Sequence, residues 1–102
     1  MAELVVLYKT PKDPKAFDTY YFEKHVPLAK KLPGLRKYQV TQGPIASPAG
    51  PSGIHLIATL TFDSLAAIQA AFGTPEGQAA GGDVPNFATG GADMLMSETR
   101  EV

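Results

Sequence analysis

Residues 16–34 read AFDTYYFEKHVPLAKKLPG, which is the pattern of one short helix with an abrupt end. Aromatic, histidine and leucine side chains recur three and four residues apart, the spacing of a single helix face; they are Phe17, Tyr20, Tyr21, His25 and Leu28. The stripe is apolar enough for a core, yet it carries two phenols and an imidazole. Two interpretations stay open: a core helix with polar ends, or the wall of a pocket that contains a titratable group.

The helix has clear start and stop signals, and strands are predicted on both sides of it. Asp13 is a suitable N-cap before a proline at the first helical position, and Leu32-Pro33-Gly34 should end the helix after about Lys31. Strand patterns lie at 4–8, 36–42, 54–62 and from 94 to about 102. Further helices are predicted at 65 to about 72, capped by Asp63-Ser64, and from Thr74-Pro75 to Gly81-Gly82.

This order of elements, β-α-β followed by β-α-(α)-β, predicts an α+β fold of the ferredoxin-like, split βαβ kind. It is a four-stranded antiparallel sheet with the helices on one face. The 102 residues are expected to form a single domain, 1–102, because the length suits one modest core. The segment from Gly43 to Gly53 holds three prolines and three glycines, so it is predicted to be a mobile loop without regular structure, at a cavity rim or a dimer contact.

The strand at 54–62 indicates how the second face of the sheet is used. Its even positions are all apolar and suit the helices, whereas its odd positions are His55, Ile57, Thr59 and Thr61. That mixed face has no Lys or Glu, so it favours an enclosed cavity or a partner sheet over open water. We therefore predict a homodimer through the sheet face, a dimeric α/β barrel; a monomer with an open face is the alternative.

Composition excludes several functional classes. A net charge of −1 predicts no nucleic-acid partner, and the absence of any long apolar stretch predicts no membrane span, so a cytoplasmic location is expected. With two histidines, no cysteine and no H-E-x-x-H motif, no metal site is predicted. No glycine-rich phosphate-binding loop opens a helix, and we predict no cofactor.

Several motifs resemble the ethyl tert-butyl ether degradation (EthD) family over nearly the whole chain. They are Phe17-Asp18-x-Tyr20-Tyr21, His25-x-Pro27-Leu28-Ala29, Pro33-Gly34-Leu35, Leu60-Thr61-Phe62-Asp63-Ser64, Ala66-Ala67, Thr74-Pro75-Glu76-Gly77, and Asp83 with Asn86-Phe87. The resemblance implies the dimeric α/β barrel. Proteins of similar fold include polyketide monooxygenases and cyclases, muconolactone isomerases and haem-degrading enzymes, so the fold alone does not choose a reaction.

His25 is the candidate catalytic residue, because an imidazole can take and return a proton near neutral pH, and similar folds place a helix histidine at the barrel mouth. The alternative is a half-buried histidine that bonds the carbonyls at the helix end. Tyr20 and Tyr21 are candidate substrate-binding residues, although only one of two adjacent side chains can line a cavity fully. His55 is a third substrate-binding candidate on the mixed strand face, and Asp18 is interpreted as structural.

These residues, taken with what the family resemblance implies, leave two functions open. One is a cofactor-free oxygenase, cyclase or isomerase that acts on a small apolar or aromatic oxygenated molecule, with His25 as acid–base. The other is a non-catalytic accessory or ligand-binding protein of an ether or xenobiotic degradation pathway.

Overall fold

The computed structural model describes all residues, 1–102, and has six strands and four α-helices. The strands are β1 (Ala2–Lys9), β2 (Lys37–Val40), β3 (Ala46–Ser47), β4 (Gly50–Pro51), β5 (Ile54–Phe62) and β6 (Ala92–Glu98). The helices are α1 (Pro14–Tyr20), α2 (Val26–Ala29), α3 (Leu65–Phe72) and α4 (Pro75–Asp83), with a π-helical segment at Tyr21–His25 and a 3₁₀ turn at Val84–Asn86.

Four strands form one antiparallel sheet in the order β2-β5-β1-β6, which confirms the predicted ferredoxin-like fold. The even residues of β1 and β5 are buried beneath the helices, except Ile54 at the start of β5, which is half-buried. The predicted helix caps form as well: the side chains of Asp13, Ser64 and Thr74 each accept a hydrogen bond from a backbone N–H of the helix that follows. Gly34 has a φ of +80°, which is the left-handed conformation that a turn after a proline-terminated helix requires.

The other face of the sheet carries an aliphatic cluster in its centre. Cross-strand pairing sets Val5 of β1 between Thr59 of β5 and Leu95 of β6, and Leu7 opposite Ile57. No helix covers this face, and Leu95 is 58 % exposed. The predicted mixed face of β5 is therefore joined, at the centre of the sheet, by two aliphatic residues of β1, while Glu3 pairs with Thr61 nearer the other end of the strand.

Three local predictions need correction. The segment from Gly43 to Gly53 is not entirely irregular, because β3 and β4 pair there as a small exposed hairpin. The final strand begins earlier than predicted and ends at Glu98. His55 does not lie on the open sheet face: Tyr8 pairs with Leu56 and Lys9 with Ile54, so His55 is an extra, bulged residue.

The helix that contains His25 is continuous but not uniform. The backbone N–H of Val26 donates to the carbonyl of Tyr21, five residues back, which is the π-helical pattern. Pro27 follows directly and has no N–H to donate, so the irregular turn that this proline predicts lies just before it. Tyr21 and His25 keep to the same buried side of the helix across this segment.

Candidate functional site

A small cavity lies between the sheet and the helices. Its volume is about 30 Å³, enough for one or two water molecules. Apolar side chains from both layers form most of its wall, and four polar side chains join them: Tyr8, Tyr21, His25 and Tyr38. The helix stripe and the sheet thus meet at one polar end of an otherwise apolar space.

His25 is fixed on the cavity wall by a carboxylate. Its Nδ1 lies 2.9 Å from Oδ2 of Asp83, and the two residues are only 5 % and 8 % exposed. Asp83, the last residue of α4, does not itself line the cavity, so the carboxylate lies behind the imidazole. The second ring nitrogen, Nε2, has no partner in the protein and is the nitrogen available to a molecule in the cavity.

Three donors converge on Asp83 and keep it ionised. The Tyr20 hydroxyl donates to Oδ1 at 2.6 Å, and Nδ2 of Asn86 donates to the same oxygen at 3.0 Å. Burial opposes ionisation, but these hydrogen bonds and that of His25 bring the pKa of Asp83 below its ordinary value. An ionised carboxylate accepts only, so His25 carries its hydrogen on Nδ1 and leaves an unprotonated Nε2.

Burial lowers the pKa of His25, and the neighbouring carboxylate offsets this only in part. The neutral imidazole is therefore the dominant form at pH 7, and its free Nε2 can act as a base. This is the protonation state that proton abstraction in a cavity requires.

The tyrosines supply hydrogen-bond donors. The hydroxyls of Tyr21 and Tyr38 lie 2.6 Å apart, so one of them donates and the other retains its hydrogen for a ligand. The Tyr8 side chain is 1 % exposed and its hydroxyl makes no hydrogen bond within the protein. Burial raises the pKa of Tyr8, Tyr21 and Tyr38, so all three stay protonated. A base and two donor hydroxyls face the same small volume.

The predicted site residues separate into two groups. His25 and Tyr21 line the cavity, whereas Tyr20 acts behind the imidazole through Asp83. His55 is not on this wall: its Nε2 lies 2.7 Å from Oδ1 of Asp18, and its ring packs edge-on against Phe17 at 4.9 Å. His55 and Asp18 instead border a separate, open cleft of about 400 Å³.

Sequence reasoning missed three members of the site. Asp83 appeared only as part of the family resemblance, and Tyr8 and Tyr38 only as strand residues. A usable signal existed for the two tyrosines, because each occupies a position that the alternation of its strand assigns to the more buried face of the sheet. No three side chains of histidine, cysteine, aspartate or glutamate come together in an arrangement that could hold a metal ion. No helix has the length and apolar character needed to cross a membrane.

Comparison with known proteins places these residues in a family context. Residues 9–91 match the model of the EthD domain. An uncharacterized 11.0 kDa protein from the thcB–thcC intergenic region of Rhodococcus erythropolis is 40 % identical over 103 aligned positions, covering 100 % of this chain and 98 % of the relative. An EthD family protein of Bacillus halodurans has a similar crystal structure, with a TM-score of 0.89, 38 % identity and coverage of 98 % and 99 % of the two chains. SnoaB, a cofactor-independent oxygenase from Streptomyces nogalater, shares the fold, with a TM-score of 0.68, 12 % identity and coverage of 99 % and 94 %.

Proposed function

The chain belongs to the EthD family, and from that premise we propose that it binds a small aromatic or apolar oxygenated molecule with the oxygen-bearing end in the cavity, and moves a proton with His25. The observation that carries the proposal is the unpartnered Nε2 of a neutral, Asp83-bound imidazole on a cavity wall. The oxygenase name of a distant fold relative agrees with such chemistry, but at 12 % identity it supports the fold alone.

The arrangement suits abstraction of a proton either from the carbon next to a carbonyl group or from the hydroxyl of a phenol. Nε2 of His25 takes the proton, and the bond to Asp83 stabilises the imidazolium that forms. Negative charge develops on the substrate oxygen, where the Tyr8 hydroxyl and one of the Tyr21–Tyr38 pair can donate hydrogen bonds. The enolate or phenolate is the common intermediate of isomerisation, cyclisation and cofactor-free oxygenation.

Deuterium exchange into 2-tetralone, an aromatic ketone with an activated C–H bond, tests this proposal in D₂O at neutral pD. We expect the wild-type protein to accelerate exchange, and we expect the exchange rate with His25→Asn to be about 10²–10⁴-fold lower than with the wild type. Asparagine can still donate to Asp83 but offers no base to the cavity. His55→Asn is the matched control and should exchange at the wild-type rate, because His55 lies in a different cleft.

The outcomes separate the two candidate functions. Binding of 2-tetralone without accelerated exchange would favour the non-catalytic, ligand-binding alternative. Equal rates in wild type and His25→Asn would refute the role of His25.

We also propose that the open sheet face forms a homodimer. Val5, Leu7, Ile57 and Leu95 make an aliphatic centre that no element of the chain covers. Two such faces in contact should bury about 2,000 Å² or more in total. Sedimentation at micromolar concentration should therefore give a dimer, with Leu95→Lys shifted towards monomer; a monomeric wild type would contradict the proposal.

A further inference from the structure

An open apolar groove lies between α3 and β6, next to the cavity. Its volume is about 450 Å³, and it is lined by Leu4, Gln69, Phe72, Gly73, Met94 and Met96. Gln69 contributes the only polar side chain. Met94 and Met96 are 47 % and 50 % exposed, so the groove is open to solvent in the isolated chain.

Three residues separate the groove from the cavity. Leu4, Phe72 and Met94 belong to the walls of both spaces. Phe72 is only half-buried and Met94 is exposed, so neither is held by the core as tightly as Leu4. Methionine is unbranched and changes rotamer easily, so this partition can open without movement of the backbone.

The cavity and the groove have complementary volumes and polarities. A cavity of about 30 Å³ cannot hold a ring, since small-molecule pockets usually measure roughly 300–1,000 Å³. The groove has the missing room but almost no polar groups, whereas the cavity contains His25 and three phenols. Polar recognition is thus at one end and apolar volume at the other.

Resting on the proposed function, we propose that the groove holds the apolar body of the ligand while its oxygen-bearing end reaches His25 through the Phe72–Met94 partition. The ligand class is an elongated molecule with one polar end, phenolic or ketonic, and an apolar tail of several carbons. Phe72, Met94 and Met96 are then the residues that determine specificity for tail length.

The test compares the affinities of two probes, 4-ethylphenol and 4-hexylphenol, by NMR titration that follows the imidazole nitrogens of His25. Each methylene buried in the groove should raise affinity about fourfold, so the hexyl compound should be favoured by about 250-fold if all four extra methylenes are buried, and by about tenfold or more if only two of them are. Met96→Lys places a charge in the groove and should reduce this preference to about threefold or less. Gln78→Lys adds the same charge on an exposed part of α4 outside the groove. This variant should keep the wild-type preference for 4-hexylphenol.

Other results would overturn the inference. If both phenols perturb His25 but the preference for the hexyl compound is absent, or is unchanged in Met96→Lys, the groove assignment is wrong while the proposed function stands. If Met96→Lys lowers the sedimentation mass without changing the preference, a second copy of the chain covers the groove instead. If neither phenol binds, the ligand class of the proposed function fails together with the inference.

Discussion

Replacing Gly77 by alanine is expected to destabilise the protein by about 3 kcal/mol or more, although the same change usually stabilises a helix. A Cβ at this position would lie 2.1 Å from the carbonyl oxygen of Ala71 and 2.5 Å from the Cα of Phe72. Both neighbours are backbone atoms of α3, so no side chain can rotate to make room. Helices α3 and α4 would have to separate, and α4 carries Asp83.

Gly82 in the same helix is the matched control. A Cβ there meets nothing within 4 Å, so Gly82→Ala should stabilise the protein by about 0.5–1 kcal/mol through helix propensity alone. Urea unfolding at one fixed protein concentration measures both variants, since unfolding of a dimer depends on concentration. If Gly77→Ala were as stable as Gly82→Ala, the close packing of α3 against α4 would be wrong.

The architecture was predictable because its signals are local. Helix caps such as Ser64 and Thr74, the proline at the start of α1 and the strict alternation of β5 each act within a few residues. The family resemblance pointed to the same fold. Chain order and strand pattern therefore led to the correct sheet and to the correct covered face.

The site was predictable only in part, because it depends on contacts distant in sequence. His25 and Asp83 are 58 residues apart, and no spacing rule connects the end of α4 to the middle of the first helix. The bulge in β5 adds one residue to the strand, which removes His55 from the face that strict alternation assigns to it. By contrast, Tyr21 and His25 were predicted on one face, and they remain there although the segment between them is π-helical.

Replacing Asp83 by asparagine should switch His25 from the tautomer with its hydrogen on Nδ1 to the tautomer with its hydrogen on Nε2. Tyr20 and Asn86 both donate to Oδ1, so the single acceptor oxygen of asparagine is expected to take that position. Its amide nitrogen then occupies the place of Oδ2 and donates to Nδ1 of His25. The imidazole hydrogen moves to Nε2, and the cavity loses its base.

Two measurements can detect this change of the His25 tautomer in Asp83→Asn. Long-range ¹H–¹⁵N NMR of histidine-labelled protein should show the hydrogen on Nδ1 in the wild type and on Nε2 in the variant. In the wild type, His25 should titrate below the ordinary histidine range because burial lowers its pKa. The deuterium exchange of 2-tetralone should fall by about 10³-fold or more, the order of loss seen when a buried aspartate that fixes a histidine tautomer becomes asparagine.

Asp18→Asn is the internal control, because Asp18 pairs with the other histidine in the same chemical way, at 2.7 Å, but away from the cavity. It should change the resonances of His55 and leave those of His25, and the exchange rate, as in the wild type. A wild-type His25 that carries its hydrogen on Nε2 would contradict the assignment of the base. A tautomer unchanged in Asp83→Asn would show that the carboxylate does not control the imidazole, since its hydrogen bond is the only one that His25 makes within the protein.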